Sequence, residues 1–158
     1  SREAVRIAAS RDSTMTKTPD FRVRLADWRD ESATLSRIRT AVFVVEQNVP
    51  ADLEMDGRDG DCAHVLAGSA TGEAIGTGRL MPDGRIGRMA VLAAWRGKGV
   101  GAAMLAALIA EARRRGLRET YLHSQSHAKD FYARHGFVVE GEEYLEAGIP
   151  HVGMRART

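Results

Sequence analysis

Hydrophobic and polar positions along the first half of the chain predict four β-strands. In residues 21–25, three apolar positions alternate with two arginines, a pattern typical of a half-buried strand. Three further strands are predicted at residues 63–69, 73–81 and 85–92, with turn signals at 70–72 and 82–84. Because such short links join antiparallel neighbours, these three strands predict a meander.

Apolar residues at helical spacing predict an amphipathic helix between the first two strands. Asp30 or Ser32 is the expected N-cap, and the helix is expected to run to about Gln47, before Pro50. Its apolar stripe consists of Leu35, Ile38, Val42 and Val45.

A second helix follows the glycine-rich stretch at 97–101. It ends at Gly116 after three arginines at 113–115, where positive charge suits the helix dipole. Its apolar stripe consists of Gly101, Met104, Leu105, Leu108, Ile109 and Ala112.

The remaining pattern completes one α/β domain around a mixed sheet. A strand is predicted at 120–124, a short helix at 128–135, and final strands at 137–140 and 152–156. Residues 20–158 are expected to form the domain. Residues 1–19 are expected to be an unpatterned tail, and a natural start at Met15 would make the first 14 residues an extension.

Composition is typical of a globular protein and indicates the cellular compartment in which it is expected. The 158 residues are 44% hydrophobic and 28% charged, with a net charge of +2. Cys62 is the only cysteine, so no intrachain disulfide can form and a cytoplasmic location is expected. The longest uncharged run, residues 99–110, is too short to span a membrane, and no signal peptide is visible.

Charge is unevenly distributed. Residues 46–61 contain six acidic residues and one arginine, and residues 95–118 contain six basic residues and one glutamate. The acidic segment is interpreted either as a solvated loop or as an attractor for a cationic substrate. No metal is expected, because an EF-hand would need a glutamate where Ala63 stands and Cys62 and His64 offer zinc only two ligands. Aromatic residues are only 6%, which argues against a nucleic-acid partner.

The most distinctive local feature is the glycine loop at 96–101, between a predicted strand and a helix. Glycines, two cations and the free N–H groups of a helix start form a site suited to pyrophosphate. A P-loop is excluded because Leu92 stands where its first glycine should be. A dinucleotide fingerprint is met by Gly97, Gly99 and Ala102, but no acid ends the next strand and too little chain follows for a doubly wound sheet.

The pattern Arg/Gln-x-x-Gly-x-Gly/Ala, met by Arg96, Gly99 and Gly101, resembles the coenzyme A loop of the GNAT N-acetyltransferases. The segment before the loop and a late Ala-x-x-Phe-Tyr…Gly-Phe signature, at residues 88–91 and 128–137, are similar to this superfamily as well. Other segments resemble its ElaA-like bacterial branch: 41–47, 55–57, 63–66 and 148–154.

The resemblance implies a GNAT-type mixed, mostly antiparallel central sheet, splayed in the middle and flanked by helices. Acetyl-CoA would lie in the opening, with Met89 and Val91 bonding its pantetheine arm through the backbone and residues 96–101 holding the pyrophosphate. Gln125 stands where the family often has an asparagine that contacts the coenzyme. The implied coenzyme-binding residues are Met89, Ala90, Val91, Arg96, Gly97, Lys98, Gly99, Val100, Gly101 and Gln125.

The same resemblance implies direct acetyl transfer to a primary amine, with Tyr132 as the general acid to the thiolate. The general base stays open, with water chains as an alternative to a side chain. Glu46 ranks first among the side-chain candidates, which are Glu46, Glu54, Asp56, His64, His123 and His151. The acceptor is an unidentified amine, a homodimer is one expected oligomeric state, and a non-catalytic acyl-CoA sensor is the alternative function.

Overall fold

The first four strands form an antiparallel sheet in chain order. The structure, a computed structural model, describes residues 20–158, so the predicted tail lies outside the described residues. The strands are β1 (Phe21–Ala26), β2 (Ala63–Ser69), β3 (Ala74–Leu80) and β4 (Ile86–Val91). Their order β1-β2-β3-β4 confirms the meander that the short turns predict.

The last three strands form a second antiparallel sheet. They are β5 (Glu119–Gln125), β6 (Val138–Glu146) and β7 (Ile149–Arg157), in the order β5-β7-β6. A parallel bridge between Arg85 and Tyr121 joins the two sheets, and the N–H of Tyr121 donates to the carbonyl of Gly84 at 3.1 Å. We call this junction the fork, because β4 and β5 part beyond it. The mixed sheet is therefore splayed in the middle, as expected.

Helices cover both faces of the first sheet. The α-helices are α1 (Trp28–Arg39), α2 (Ala51–Glu54), α3 (Val100–Arg114) and α4 (Lys129–Ala133). On one face Leu35 and Ile38 of α1 pack with Leu66 of β2. On the other face Leu108 of α3 packs with Val65. Because adjacent residues of a strand point to opposite faces, β2 is buried on both sides.

The first helix differs from its prediction at both ends. Asp27 is its N-cap, and its carboxylate accepts from the N–H of Arg29 at 2.9 Å. From Thr40 to Glu46 the helix widens into a π-helix. The wider turn rotates the later residues away from the apolar stripe, so Val45 is 72% exposed whereas Val42 is buried.

The final hairpin is longer than predicted. Ala147 and Gly148 connect β6 to β7 with φ angles of 54° and 79°. Two consecutive positive φ angles match the twist that joins antiparallel strands closely. The sequence predicted this strand only at residues 137–140, because most residues of β6 are exposed and form no apolar pattern.

The second sheet is packed against the core on one face only. Leu122, Val152 and Met154 are buried in the same cluster as the apolar residues of α3. The alternate positions point to the other side, where His123 is exposed. We call this other side the open face; it includes Tyr121, His123, Gln125, Glu140, Tyr144, His151, Gly153 and Arg155.

No helix within residues 20–158 is long and apolar enough to cross a membrane.

Candidate active site

A bulge in β4 lies where the two sheets part. Thr77 pairs with Ala90 and Arg79 pairs with Gly87, so Arg88 and Met89 together face only Gly78. Arg88 has a φ of 48°, a left-handed conformation that is rare for a residue with a side chain. Bulges bend a strand and commonly stand beside active sites.

The side chain of Arg88 anchors this bulge to the preceding loop. Its Nε donates to the carbonyl of Glu54 at 3.2 Å, and one Nη donates to the carbonyl of Leu53 and to Asp56, both at 3.3 Å. These three contacts hold the strained residue in place. The bulge could not be predicted from local sequence, because the segment that Arg88 contacts lies more than thirty residues away along the chain.

Beyond the bulge, one edge of β4 is open. The N–H of Leu92 donates to Ile75 of β3 at 2.9 Å. Because backbone groups alternate in direction along a strand, those of Met89 and Val91 point away from β3, toward β5. Past the fork, no strand among the described residues pairs with this edge. It can therefore accept an extended ligand that carries amide groups.

The glycine loop lies at the end of this open edge. Gly97 and Gly99 have φ angles of 77° and 87°, which favour glycine, and a Cβ on either would meet no atom within 4 Å. The N–H of Ala103 bonds to Gly99 at 3.0 Å, whereas residues 100–102 of the same helix start have no acceptor among the described residues. These free N–H groups, with exposed Lys98 nearby in sequence, favour an anion.

Arg96 has two partners in this structure. Its Nε donates to the carbonyl of Val91 at 3.0 Å, and its two Nη atoms donate to the carboxylate of Glu46 at 2.5 and 2.7 Å. Arg96 thus links the glycine loop to the π-helix that ends at Glu46. The hydrogen bonds from Arg96 hold the pKa of Glu46 below its usual value, which makes this carboxylate a weaker base.

Tyr132 lies on α4, which follows β5 closely. Its ring packs edge-on against Phe131 and Phe137, with centroids 5.0 and 6.0 Å away. Burial raises the pKa of Tyr132, because the phenolate loses hydration, so the hydroxyl keeps its proton at neutral pH. A Cβ on Gly101 would lie 3.6 Å from Phe131, so α4 packs against the start of α3, next to the glycine loop.

Gln125 is the last residue of β5, at the same end of the opening. Its Oε1 lies 2.6 Å from Nε2 of His127, and its backbone pairs with His151. The structure therefore brings the predicted coenzyme residues and Tyr132 to one region, around the outer ends of β4 and β5.

Part of the acidic segment is a buried ion-pair network, because Glu54 and Asp59 are each 3% exposed, whereas Asp52 and Asp61 stay exposed as the solvated-loop expectation has it. Arg39 binds Glu54 at 2.6 Å and Asp59 at 2.7 Å. Arg79 binds Asp59 at 3.1 Å and Asp56 at 2.9 Å. Hydrogen bonds from Arg79 hold the pKa of Asp56 far below its usual range. Charges paired in this way contribute little field to a substrate, and no group of three or more potential ligands in residues 20–158 could hold a metal.

The histidines named as candidate bases have different surroundings. His64 is buried, stacks on Trp28 and bonds through Nε2 to the carbonyl of Asp59 at 3.0 Å, so it belongs to the packing. His151 is 8% exposed and its Nδ1 lies 2.7 Å from the carbonyl of Ile149. His123 is exposed, and its Nδ1 lies 2.5 Å from the hydroxyl of Tyr144. Tyr144 was not predicted to take part, since its segment lay between two predicted strands.

Comparisons with known proteins agree with this geometry. The sequence profile of the acetyltransferase (GNAT) domain matches residues 25–158. An uncharacterized N-acetyltransferase of Bacillus subtilis, YjcF, is 38% identical over 121 residues, which are 74% of this chain and 86% of the relative. Protein ElaA of Escherichia coli is 36% identical over 128 residues, which are 76% of this chain and 83% of ElaA.

Solved structures show the same architecture. The crystal structure of an acyl-CoA N-acyltransferase from Pseudomonas aeruginosa superposes with a TM-score of 0.77 at 36% identity, covering 86% of this chain and 99% of that one. The crystal structure of Escherichia coli ElaA superposes with a TM-score of 0.77 over 86% of this chain and 99% of that one.

Proposed function

The chain belongs to the GNAT acetyltransferase family, in its ElaA-like branch, and is an acyl-CoA-dependent N-acetyltransferase. From this premise we propose that it transfers the acetyl group of acetyl-CoA directly to a primary amine, and that Tyr132 protonates the departing thiolate. The observation that carries the proposal is the open edge of β4, which ends at a glycine loop with free N–H groups. An extended arm with amides fits such an edge, and a pyrophosphate fits such a loop.

The residues present fit coenzyme A along the whole length of this edge. The backbone groups of Met89 and Val91 face the opening and can bond the pantetheine amides. The N–H groups of residues 97–102 and the ammonium of Lys98 can hold the pyrophosphate. Arg96 has a different task in this proposal: with its guanidinium on Val91 and Glu46, it fixes the shape of the loop that the N–H groups belong to.

Tyr132 is suited to act as an acid. Its pKa is raised, so its hydroxyl carries a proton to donate. Its ring is held by aromatic neighbours next to the glycine loop. As the C–S bond breaks, the phenol proton passes to the sulfur, which prevents the thiolate from reattacking the new amide.

Direct transfer is favoured over an acetyl-cysteine intermediate. Cys62, the only cysteine, directly follows the acidic segment, and partial burial raises the pKa of its thiol. Its Sγ lies 3.2 Å from the carbonyl of Arg58, so the thiol is occupied as a donor. A protonated, partly buried thiol is a poor nucleophile.

Calorimetric titration and a turnover assay test the proposal together. We expect acetyl-CoA and CoA to bind, and NAD not to bind, in parallel titrations at fixed salt. With a panel of primary amines, release of free CoA thiol should show turnover. Tyr132→Phe should lower kcat by roughly a hundredfold and change the affinity for CoA by less than about twofold.

Each outcome separates the candidate functions. Binding of CoA without turnover of any amine would favour the sensor and contradict the proposal. Equal and small effects of Tyr132→Phe on kcat and on affinity would contradict the role of this tyrosine and leave the transfer activity standing. Binding of NAD in place of CoA would contradict the coenzyme site.

A further inference from the structure

The open face of the second sheet carries chemistry that the proposed function has not used. Strand pairing determines which residues of this face are neighbours. His123 of β5 lies opposite Gly153 of β7, and Gln125 lies opposite His151. On β6, Tyr144 lies opposite His151. These positions put a histidine and a tyrosine on the same side of the sheet, two strands apart.

Tyr144 reaches His123 across the central strand. Two strand spacings amount to about 10 Å, and the tyrosine ring covers most of that distance. Its hydroxyl lies 2.5 Å from Nδ1 of His123. Gly153 stands directly opposite His123 and has no side chain to block this path.

An irregularity in β6 helps to aim the tyrosine. Glu140 pairs with Gly153 and Tyr144 pairs with His151, so residues 141–143 of β6 face only Val152 of β7. Gly141 takes a φ of 74° in this bulge. Bulges redirect side chains, and this one precedes Tyr144 directly. The ring of Tyr144 also stacks on that of His151, with centroids 5.9 Å apart, which fixes its position further.

His123 lies close to the fork, on the strand that forms one side of the opening. It follows Tyr121, the fork residue, by two positions, which is roughly 7 Å along β5. In the proposed site, a coenzyme arm that begins at the glycine loop would run back along β4 toward the fork, and its reactive end would come near the level of His123. Residues of α3 and α4 pack with Leu122 in the core cluster on the other face, so an amine would approach the reacting group from the open face.

We propose that His123 is the general base that removes a proton from the acceptor ammonium, and that Tyr144 is a positioning residue that holds the imidazole. This inference rests on the proposed acetyl transfer to an amine. It also implies that the acceptor enters the site from the open face.

The protons of the reaction balance with these two groups. The ammonium gives one proton to Nε2 of His123, and the free amine then attacks the thioester carbonyl. The N–C bond forms, the C–S bond breaks, and the nitrogen loses a second proton to water. Tyr132 gives its proton to the sulfur and regains one from solvent, and His123 releases the proton that it accepted to solvent before the next turnover. In the tautomer required, Nδ1–H of His123 donates to the oxygen of Tyr144, which leaves Nε2 free to accept.

The electrostatic surroundings suit this role. Burial and the charge of Arg85 lower the pKa of His123, whereas the carboxylates of Glu146 and Glu140 oppose this shift. The ring is therefore mostly neutral at pH 7 and can take a proton. The other titratable groups that face it are Tyr121, Tyr144, His151 and Arg155.

The exposed acids of β6 indicate the charge of the acceptor. Arg155 pairs with Glu140 at 3.1 Å and with Glu119 at 3.2 Å. Glu142, Glu143 and Glu146 make no ion pair within the described residues, and all three are exposed. They would attract an amine in its ammonium form, a role that the sequence suggested for residues 46–61.

Three variants test the inference in the turnover assay with the amine that the wild type uses best. His123→Gln should lower kcat by roughly a hundredfold and should abolish the acid limb of the pH profile, which we expect below pH 6.5 in the wild type. Tyr144→Phe should lower kcat by roughly tenfold, keep the acid limb, and leave the KM for acetyl-CoA unchanged. His135→Gln is the matched control, since burial also lowers the pKa of His135 but its ring packs on Phe131, away from the open face.

The results distinguish this inference from the proposed function. Wild-type turnover of an amine supports the proposed function whatever the variants do. An unchanged kcat and an unchanged acid limb in His123→Gln would overturn the role of His123 alone. A fall of equal size in the His135→Gln control would also overturn it, because the effect would then be a general one. Absence of any amine turnover by the wild type would overturn both.

Discussion

The two sheets of this domain differ in what covers them. The first sheet lies between α1 and α3, whereas the second packs against the core with one face and leaves the other open. Polar groups in the two regions differ accordingly. Arg39, the last residue of α1, is 1% exposed and forms ion pairs with Glu54 and Asp59. His123 on the second sheet is exposed, and its one hydrogen-bond partner is the hydroxyl of Tyr144. Charges buried between two layers serve folding, and polar groups on an open face remain available to a substrate.

The largest effect should come from breaking the buried network of the first region. Arg39→Met removes the nearest partner of the buried carboxylates of Glu54 and Asp59. It leaves them only Arg88, 3.5 Å from Glu54, and Arg79, 3.1 Å from Asp59. We expect a loss of about 4 kcal/mol in the free energy of unfolding, measured by urea denaturation. Arg24→Met, which breaks an exposed pair with Glu31, is the control and should cost about 0.5 kcal/mol or less. Equal losses in the two variants would contradict the distinction.

A smaller effect should distinguish the two faces of β5. Leu122 is 3% exposed on the core face, and Leu122→Ala should cost about 3 kcal/mol because it leaves a cavity. His123→Gln, the next residue on the opposite face, should change the free energy of unfolding by less than about 0.5 kcal/mol. Thermal and urea unfolding of both variants measure this directly. A large loss of stability in His123→Gln would show that the open face is structural.

The smallest effect concerns α3, the helix that both sheets share. Hydrogen bonds from Arg114 and Arg115 lower the pKa of Glu111 from 4.5 to about 2. A carboxyl whose folded pKa is lowered stabilises the fold above its unfolded pKa, and this contribution is lost as the pH falls from about 4.5 toward 2. The partners are 68% and 41% exposed, so we expect only about 1 kcal/mol.

Urea midpoints measured across this pH range provide the test. The wild type should lose more stability than Glu111→Gln between pH 4.5 and pH 2, and the two curves should converge at the acid end. Parallel curves would mean that Glu111 is not stabilised by its arginines in the folded state.

The sequence predicted the elements whose signal is local. The segment 63–69 was predicted as a strand and is β2 to the residue, because its apolar run is bounded by turn residues. The helix after the glycine loop was predicted for a similar reason, since its apolar stripe repeats with the helical period. The strand β6 was underestimated, because its exposed, charged sequence is held by pairing with β7 rather than by burial.

The candidate site could be predicted only in part. The glycine loop and Tyr132 carry short sequence patterns, and the structure brings their elements together at Gly101 and Phe131. The partners of Glu46, which the sequence ranked first as a base, could not be predicted: Arg96 lies fifty residues away. The bond between His123 and Tyr144 was equally hidden, because it depends on strand order and on the missing side chain of Gly153.

The sequence by itself determined the family, the meander, the two main helices and the loop that suits a pyrophosphate. Each of these depends on residues close together in the chain, so periodicity, glycine spacing and turn chemistry are sufficient. The tertiary structure alone decided which charged residues form buried ion pairs and which polar groups face an opening. Pairing between distant residues follows from sheet order, bulges and burial, and these arise only when the whole chain has packed.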